Sequence, residues 1–330
     1  MTTVRLSVDL LGADTPEEEL CRGAVRALAH DPELFLYLCG HADVIRAVLD
    51  SCGEDIPTER YEICHAPVAL SNNDDPMQAY TDTEASLCAA LRLAGEGRAD
   101  GVITCGATGA VLVCSIMIVG KLPRLRPILA VELTDLHGDP LLLLDCGANI
   151  DSRPELYPTF ARLGDAYMRC IGCAEPRISL LSNGAEPKKG CEAVKEAHIL
   201  LEGLRLNFIG NIEATSALRG ETDVIVCDGF HGNILLKSIE GSAKAALDEV
   251  AARLTAAGLD QPAVTEVLAT VRRKYDYNTQ GGALLLGVRK PVMKGHGSAT
   301  GEAVEQMAAR LAQLCAGGFV DRVAEACRTQ

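Results

Sequence analysis

The sequence predicts an α/β fold, a mainly parallel sheet with helices on both faces. Three observations carry that expectation. Short β-branched or leucine-rich runs alternate with longer stretches of helical periodicity along the chain. Several of those short runs end in an acid or a small residue followed by glycine. Hydrophobic residues make up 48% and charged residues 23%, the balance of a globular chain, which excludes collagen-like, coiled-coil and wholly disordered architectures. The 330 residues allow one large or two modest domains at roughly 100 to 200 residues each. No Pro-, Gly- or Ser-rich linker and no fixed-period repeat divides them, so residues 1–330 are read as a single domain with one excursion.

In chain order, Val4 to Asp9 reads as a strand, Glu17 to Ala29 as a helix, Leu34 to Cys39 as a strand and Ala42 to Asp50 as a helix. Further strands are expected at Tyr61 to His65, Gly101 to Cys105, Ile128 to Leu133, Leu141 to Asp145, Ile178 to Ser182, Leu206 to Ile209 and Val224 to Cys227. Four strand ends repeat one chemistry: Asp9 with Gly12, Cys105-Gly106, Asp145-Cys146-Gly147, and Asp228-Gly229. In open α/β sheets the ligand crevice lies at the carboxyl ends of the strands, where glycine lets a phosphate or carbonyl approach backbone N–H groups. The excursion is a helical hairpin over 234–275. Leu235, Ile239, Ala243, Leu247, Val250 and Leu254 fall at helical spacing, Gly258 to Pro262 breaks the run, and Val264, Val267, Leu268 and Val271 form a second stripe. Such a pair serves dimer packing or core cover before it serves a membrane.

The net charge of −14 repels a phosphate backbone and argues against a nucleic-acid partner. Residues 1–100 hold seven Arg, no Lys and nineteen acids, a net of −12, whereas 272–294 holds six cations against Asp276. An anionic partner is expected at the second of these. The 14 cysteines are scattered through apolar runs of a full-sized chain, which favours buried reduced thiols over a disulfide scaffold. Cys170 and Cys173 form a CxxC pair without a second pair at ligand spacing, so no metal is expected. The N-terminus lacks a signal-peptide core, and the longest apolar run, Ala110 to Val119, is well short of the ~18 residues that span a bilayer. A cytoplasmic location is expected.

The sequence contains no GxGxxG after a strand, no GxxxxGK[ST] and no GxSxG elbow. What it does contain is TCGATGAVL (104–112), LLLLDCGANID (141–151), RISLLSNGAEPKKGCE (177–192), NFIGNIEA (207–214), DVIVCDGFHGNILLKSIEG (223–241) and YDYNTQGGALLLGVRKPVMKGHGS (275–298). In that order, from Val8 to about Gly318, these strings resemble the bacterial phosphate acyltransferases of phospholipid synthesis, which convert an acyl chain on acyl carrier protein into an acyl phosphate. The resemblance implies a three-layer α/β/α sandwich of the phosphotransacetylase and isocitrate-dehydrogenase kind and a homodimer. It also implies peripheral association with the inner face of the membrane through the hairpin, acyl carrier protein and inorganic phosphate as partners, and no cofactor.

Phosphate is already partly dianionic near neutral pH, so its attack on a thioester needs positioning and oxyanion donors more than a general base. Lys188 and Lys189, between Gly184 and Gly190, form a flexible cationic loop for phosphate or the phosphopantetheine arm, or else a solvated turn. Asn233 serves as a donor to substrate or as a helix cap. His296, in a GHGS setting, is positioned to protonate the leaving thiolate. These four are the catalytic candidates. The substrate-binding candidates are Asp9, Gly12, Asp14, Gly106, Thr108, Gly109, Asp145, Gly147, Asn149, Asn211, Asp228, Gly229, Gly232 and Lys237.

Three loops depart from the family. Its first loop reads Gly-Gly-Asp-His-Ala-Pro, whereas this chain has Gly12-Ala13-Asp14-Thr15-Pro16. Its Arg-Lys-Lys run before a Ser-Ser pair is replaced by Tyr80 to Ser86, with Asp82 and Glu84, and its Gly-Asn-Thr-Gly becomes Gly106-Ala107-Thr108-Gly109. Carboxylates in place of cations beside a dianion would cost several kcal/mol, since one pair of unit charges at ~4 Å contributes about 4 kcal/mol at an effective dielectric of ~20. Two other readings follow: a related acyltransferase using a coenzyme A thioester, and a non-catalytic paralogue that binds acyl carrier protein or a lipid regulator.

Overall fold

The structure is a computed structural model that describes residues 3–53, 56–71, 73–123, 125–259, 261–275 and 281–328. Asp260 of the hairpin turn and residues 276–280, including Asp276, lie outside the described residues. Among the described residues, one eleven-stranded sheet forms the centre of the fold. Its first part alternates β1 (Val4–Asp9), α1 (Glu17–His30), β2 (Leu34–Gly40), α2 (Ala42–Ser51) and β3 (Tyr61–His65). It continues through α3 (Pro76–Ala79), α4 (Ser86–Gly95), β4 (Gly101–Thr104) and α5 (Thr108–Cys114). Next come β5 (Ile128–Thr134), β6 (Pro140–Leu144), α6 (Tyr157–Cys170), β7 (Ile178–Leu181), α7 (Glu192–Glu202), β8 (Phe208–Ile212) and β9 (Val224–Val226). The chain closes with α8 (Gly229–Ala256), α9 (Gln261–Tyr275), β10 (Ala283–Leu286), β11 (Val292–Lys294), α10 (Gly301–Ala316) and α11 (Phe319–Arg328).

The strand order is β3-β2-β1-β4-β11-β10-β5-β6-β9-β7-β8. Seven of the pairings are parallel and three antiparallel, the latter being β11 with β10, β10 with β5, and β5 with β6. The sheet is therefore two parallel halves running in opposite senses, joined through an antiparallel seam. Most expected strands fall within a residue or two of their place. β8 begins at Phe208 rather than Leu206, and β10 and β11, of four and three residues, were not anticipated.

Helices cover both faces, and the leucine run of β6 shows why it is continuous. Leu142 and Leu144 belong to the hydrophobic cluster of one face, with Phe160 of α6 and Leu311 of α10, while Leu141 and Leu143 belong to that of the other, with Leu91 of α4 and Val111 of α5. A strand buried on both faces needs apolar residues at every position. α8 and α9 pack against each other and are pinned by Arg272 to Asp248 at 2.5 Å. Beyond Leu236, α8 contributes no buried residue. No helix among the described residues is long and apolar enough to cross a membrane.

Candidate active site

The antiparallel seam brings the ends of β1, β4 and β11 from one half against the turn after β6 and the first turns of α8 from the other. Between them lies a cavity of about 440 Å³. The glycine walls come first. Gly12 has φ of +79°, which favours a residue without a Cβ, and a Cβ there would sit 3.3 Å from the Gly106 Cα. A Cβ on Gly297 would lie 2.8 Å from the Asp14 carboxylate, and the Asp14 N–H donates to the Gly297 carbonyl at 2.7 Å. The first loop and the His296 loop are thereby held together.

The acids expected in this crevice hold its loops in place. Asp9 is buried and accepts from the Ser86 and Thr104 hydroxyls, both at 2.6 Å, and from the Leu11 N–H at 3.2 Å. Thr104 Oγ1 in turn accepts from the Gly106 N–H at 3.0 Å, so one carboxylate organises both glycine walls. Burial raises the Asp9 pKa to about 6, its hydrogen bonds opposing the shift. Asp145 accepts from the N–H groups of Leu129, Gly147, Ala148 and Asn149 and from the Asn149 side chain, and burial raises its pKa too. Asn149 also donates to the Pro127 carbonyl, and its own carbonyl accepts from the Gly229 N–H at 2.7 Å. Asp228 is the N-cap of α8, accepting from the His231 N–H at 2.8 Å and bonded to His231 Nδ1 at 2.7 Å. Asn233 is therefore not the cap of this helix; it stands one turn inside it, on the cavity wall.

Gly12, Asp14, Gly106, Thr108, Gly147, Asn233, Lys237 and His296 all line this cavity. Gly109 packs near Pro76 instead, and a Cβ on Gly229 or Gly232 would strike the backbone of the 145–149 turn. Asn211 bonds His198 and the Glu186 carbonyl, which ties down the loop carrying the two lysines. Lys188 and Lys189 are exposed on that loop and line no cavity described here. Asp82 and Glu84 stand outside the lining as well.

Lys294 is the cavity residue that sequence reasoning missed. It is the last residue of β11, paired with Thr104 and Ala283, and its Nζ donates to the Gly295 carbonyl at 2.8 Å. Burial lowers its pKa below the ordinary lysine value, and the charge of Lys237 adds to that effect. The signal available in sequence was the basic excess of 272–294, but nothing local distinguished Lys294 from Arg289 or Lys290. Among the described residues, the cavity lining thus collects two ammonium groups, an amide, a hydroxyl and an imidazole with the carboxylate of Asp14, and the Lys237 ammonium is paired with Glu240 at 2.9 Å. His296 Nδ1 lies 2.9 Å from Ser298 Oγ and accepts from the Ser298 N–H at 3.3 Å, which leaves the proton of the neutral ring on Nε2. Such a site can hold a small anion and deliver a proton beside it.

Comparison with known proteins fits this geometry. A family model described as fatty acid synthesis protein matches residues 4–322. The phosphate acyltransferase of Geobacillus thermodenitrificans is 38% identical over 307 residues, covering 91% of this chain and 92% of that protein. That of Geobacillus sp. is 34% identical over 329 residues, 98% of each. Among solved structures, the EutD phosphotransacetylase from Staphylococcus aureus superposes with a TM-score of 0.63 at 15% identity, covering 95% of this chain and 94% of that one. A phosphotransacetylase from Streptococcus pyogenes gives the same TM-score and coverage at 17% identity. The last two share the fold of this chain, whose mostly parallel sheet with helices on both faces is a three-layer α/β/α sandwich. Matched over nearly its whole length by the family model and by relatives of this identity, the chain belongs to the phosphate acyltransferase family of fatty acid synthesis proteins.

Proposed function

We propose that this chain transfers a fatty acyl group from the thioester of acyl carrier protein to inorganic phosphate, releasing acyl phosphate for phospholipid synthesis. The observation that carries the reading is the convergence of Lys237 and Lys294 on one glycine-walled cavity in a chain of net charge −14. Charge-assisted hydrogen bonds to a dianion are about twice as strong as neutral ones, so these lysines and the Asn233 amide are the natural phosphate ligands. A phosphate oxygen attacks the thioester carbonyl carbon, the C–S bond breaks, and the proton that monohydrogen phosphate gives up ends on the thiol. His296 gives its Nε2 proton to the leaving sulfur, and the phosphate proton replaces it on the ring. Thr108 and the Gly106 loop supply donors for the oxyanion.

Lys188 and Lys189, exposed at the outer edge, suit the phosphopantetheine phosphate or the acidic surface of a carrier protein. The hairpin is the association element, for a second copy of the chain and for the membrane surface. Val250, Leu259 and Val267 are 43%, 49% and 64% exposed along it. The Asp14 carboxylate favours a second reading, a paralogue that binds acyl carrier protein without phosphate chemistry. The test is incubation with hexadecanoyl-acyl carrier protein and inorganic phosphate, trapping acyl phosphate with hydroxylamine. Phosphate-dependent hydroxamate supports transfer. Carrier binding without hydroxamate supports the second reading, and hydroxamate from the coenzyme A thioester alone would replace the donor.

A further inference from the structure

A second cavity, of about 610 Å³, opens at the carboxyl ends of β7 and β9, in the crevice of the other half-sheet. Its size lies within the range of ligand sites, roughly 300 to 1,000 Å³. Leu181, Val194, Ala214, Cys227, Ile234 and Leu235 make its lining largely apolar. Three of its polar groups engage one another, Tyr157 with Asp228 and Asp228 with His231. Ser182 Oγ, also in the lining, is buried without a hydrogen-bond partner.

Helix α8 separates this cavity from the first by a single ridge. Asn233 and Lys237 line the first cavity, and the residue following each, Ile234 and Ser238, lines the second. The ridge is low because Gly232 has no side chain. The Asp145 carbonyl oxygen occupies the place of its Cβ, at 1.9 Å, and Cys227 Sγ lies 2.8 Å from the same point. The crest between the cavities is apolar and accessible, with Phe230 52% and Ile234 50% exposed.

We propose that the second cavity seats the distal part of the acyl chain, which crosses α8 over Ile234 from a thioester held at Asn233 and Lys237. The inference rests on the acyl-transfer reading and adds the place where the acyl chain lies. A short acyl group stops at the crest, whereas each methylene beyond it removes apolar surface from water, worth about a fourfold gain in affinity when fully buried. Val194, on the far wall in α7, then limits chain length.

The experiment compares hexadecanoyl and butyryl donors and, separately, measures binding of a fluorescent long-chain fatty acid. In Val194→Trp the ratio of kcat/KM for hexadecanoyl over butyryl donor should fall at least tenfold, and fluorescent fatty-acid affinity should fall with it. Ile234→Trp obstructs the same path from the exposed crest and should act in the same direction even where the buried substitution perturbs folding. Ser182→Ala removes an unpartnered hydroxyl from an apolar wall and should tighten fatty-acid binding several-fold. Unchanged chain-length ratios in an active enzyme, or fatty-acid binding indifferent to all three variants, overturns the proposal. A wild-type protein that binds the fatty acid with this variant pattern but forms no acyl phosphate overturns the acyl-transfer reading and leaves the cavity assignment standing.

Discussion

Replacing Asp9 with Asn removes a carboxyl whose pKa burial raises from 3.8 to about 6. A carboxyl with a raised folded-state pKa binds its proton more tightly in the folded chain than in the unfolded one. Its contribution to stability therefore grows as pH falls through 6 and is smallest above it. The whole effect is about 3 kcal/mol, a gap of about two pKa units at about 1.4 kcal/mol each. Between about pH 7.5 and about pH 4.5 it amounts to about 2 kcal/mol, because the unfolded carboxyl is still mostly ionised at the lower value. Urea unfolding of both proteins at those two pH values, taken as a difference, cancels the titrations they share. Asn also loses acceptor capacity toward Ser86, Thr104 and Leu11, but that loss is the same at both pH values. The expected result is that Asp9→Asn gains about 2 kcal/mol relative to the parent on going from the lower to the higher pH. A pH-independent offset between the two proteins would refute the account of Asp9 as a carboxyl buried at a cost.

Other outcomes follow from the same geometry. Gly232→Ala must push α8 off the Asp145 carbonyl, since the new Cβ would lie 1.9 Å from that oxygen; a loss of about 3 kcal/mol or more is expected by calorimetry, near the upper end for overpacking. Lys237→Met and Lys294→Met each remove a charge-assisted bond worth ~1.5 to 3 kcal/mol, so the KM for phosphate should rise about tenfold or more in steady-state kinetics with little change in acyl-donor KM. Asp14→Asn should lower the KM for phosphate, more at low than at high ionic strength because exposed charges are screened over about 10 Å at 0.1 M salt. Asp82→Lys with Glu84→Lys, outside the cavity lining, should leave that dependence unaltered. Light scattering at micromolar concentration should give a dimer, and a monomer there would remove association from the hairpin's roles.

How much of this was legible beforehand depended on whether the deciding physics was local. The doubly buried strands of the sheet announce themselves as unbroken apolar runs, and the hairpin as two stripes joined at Gly258. The antiparallel seam does not, because β10 and β11 are three or four residues long and their pairing with β5 and β4 joins positions more than 150 residues apart in sequence. With the seam hidden, Lys294 was one cation among six, and the acids at the strand ends looked like ligands rather than loop anchors. Asp9, Asp145 and Asp228 share a pattern in sequence and a task in space: each spends its oxygens on donors of neighbouring backbone and side chains, which leaves the glycines beside them to form walls. The polar work at the cavity then falls to side chains that come from elsewhere, Asn233 and Lys237 a turn or two into α8 and Lys294 at the end of β11. The same logic qualifies the sign reversal in the N-terminal loops. Of the three carboxylates that stand where cations were expected or beside them, only Asp14 reaches the lining. It shares the lining with Lys237, which Glu240 pairs, and with Lys294, so cations stand at the cavity even though the first 100 residues carry a net charge of −12.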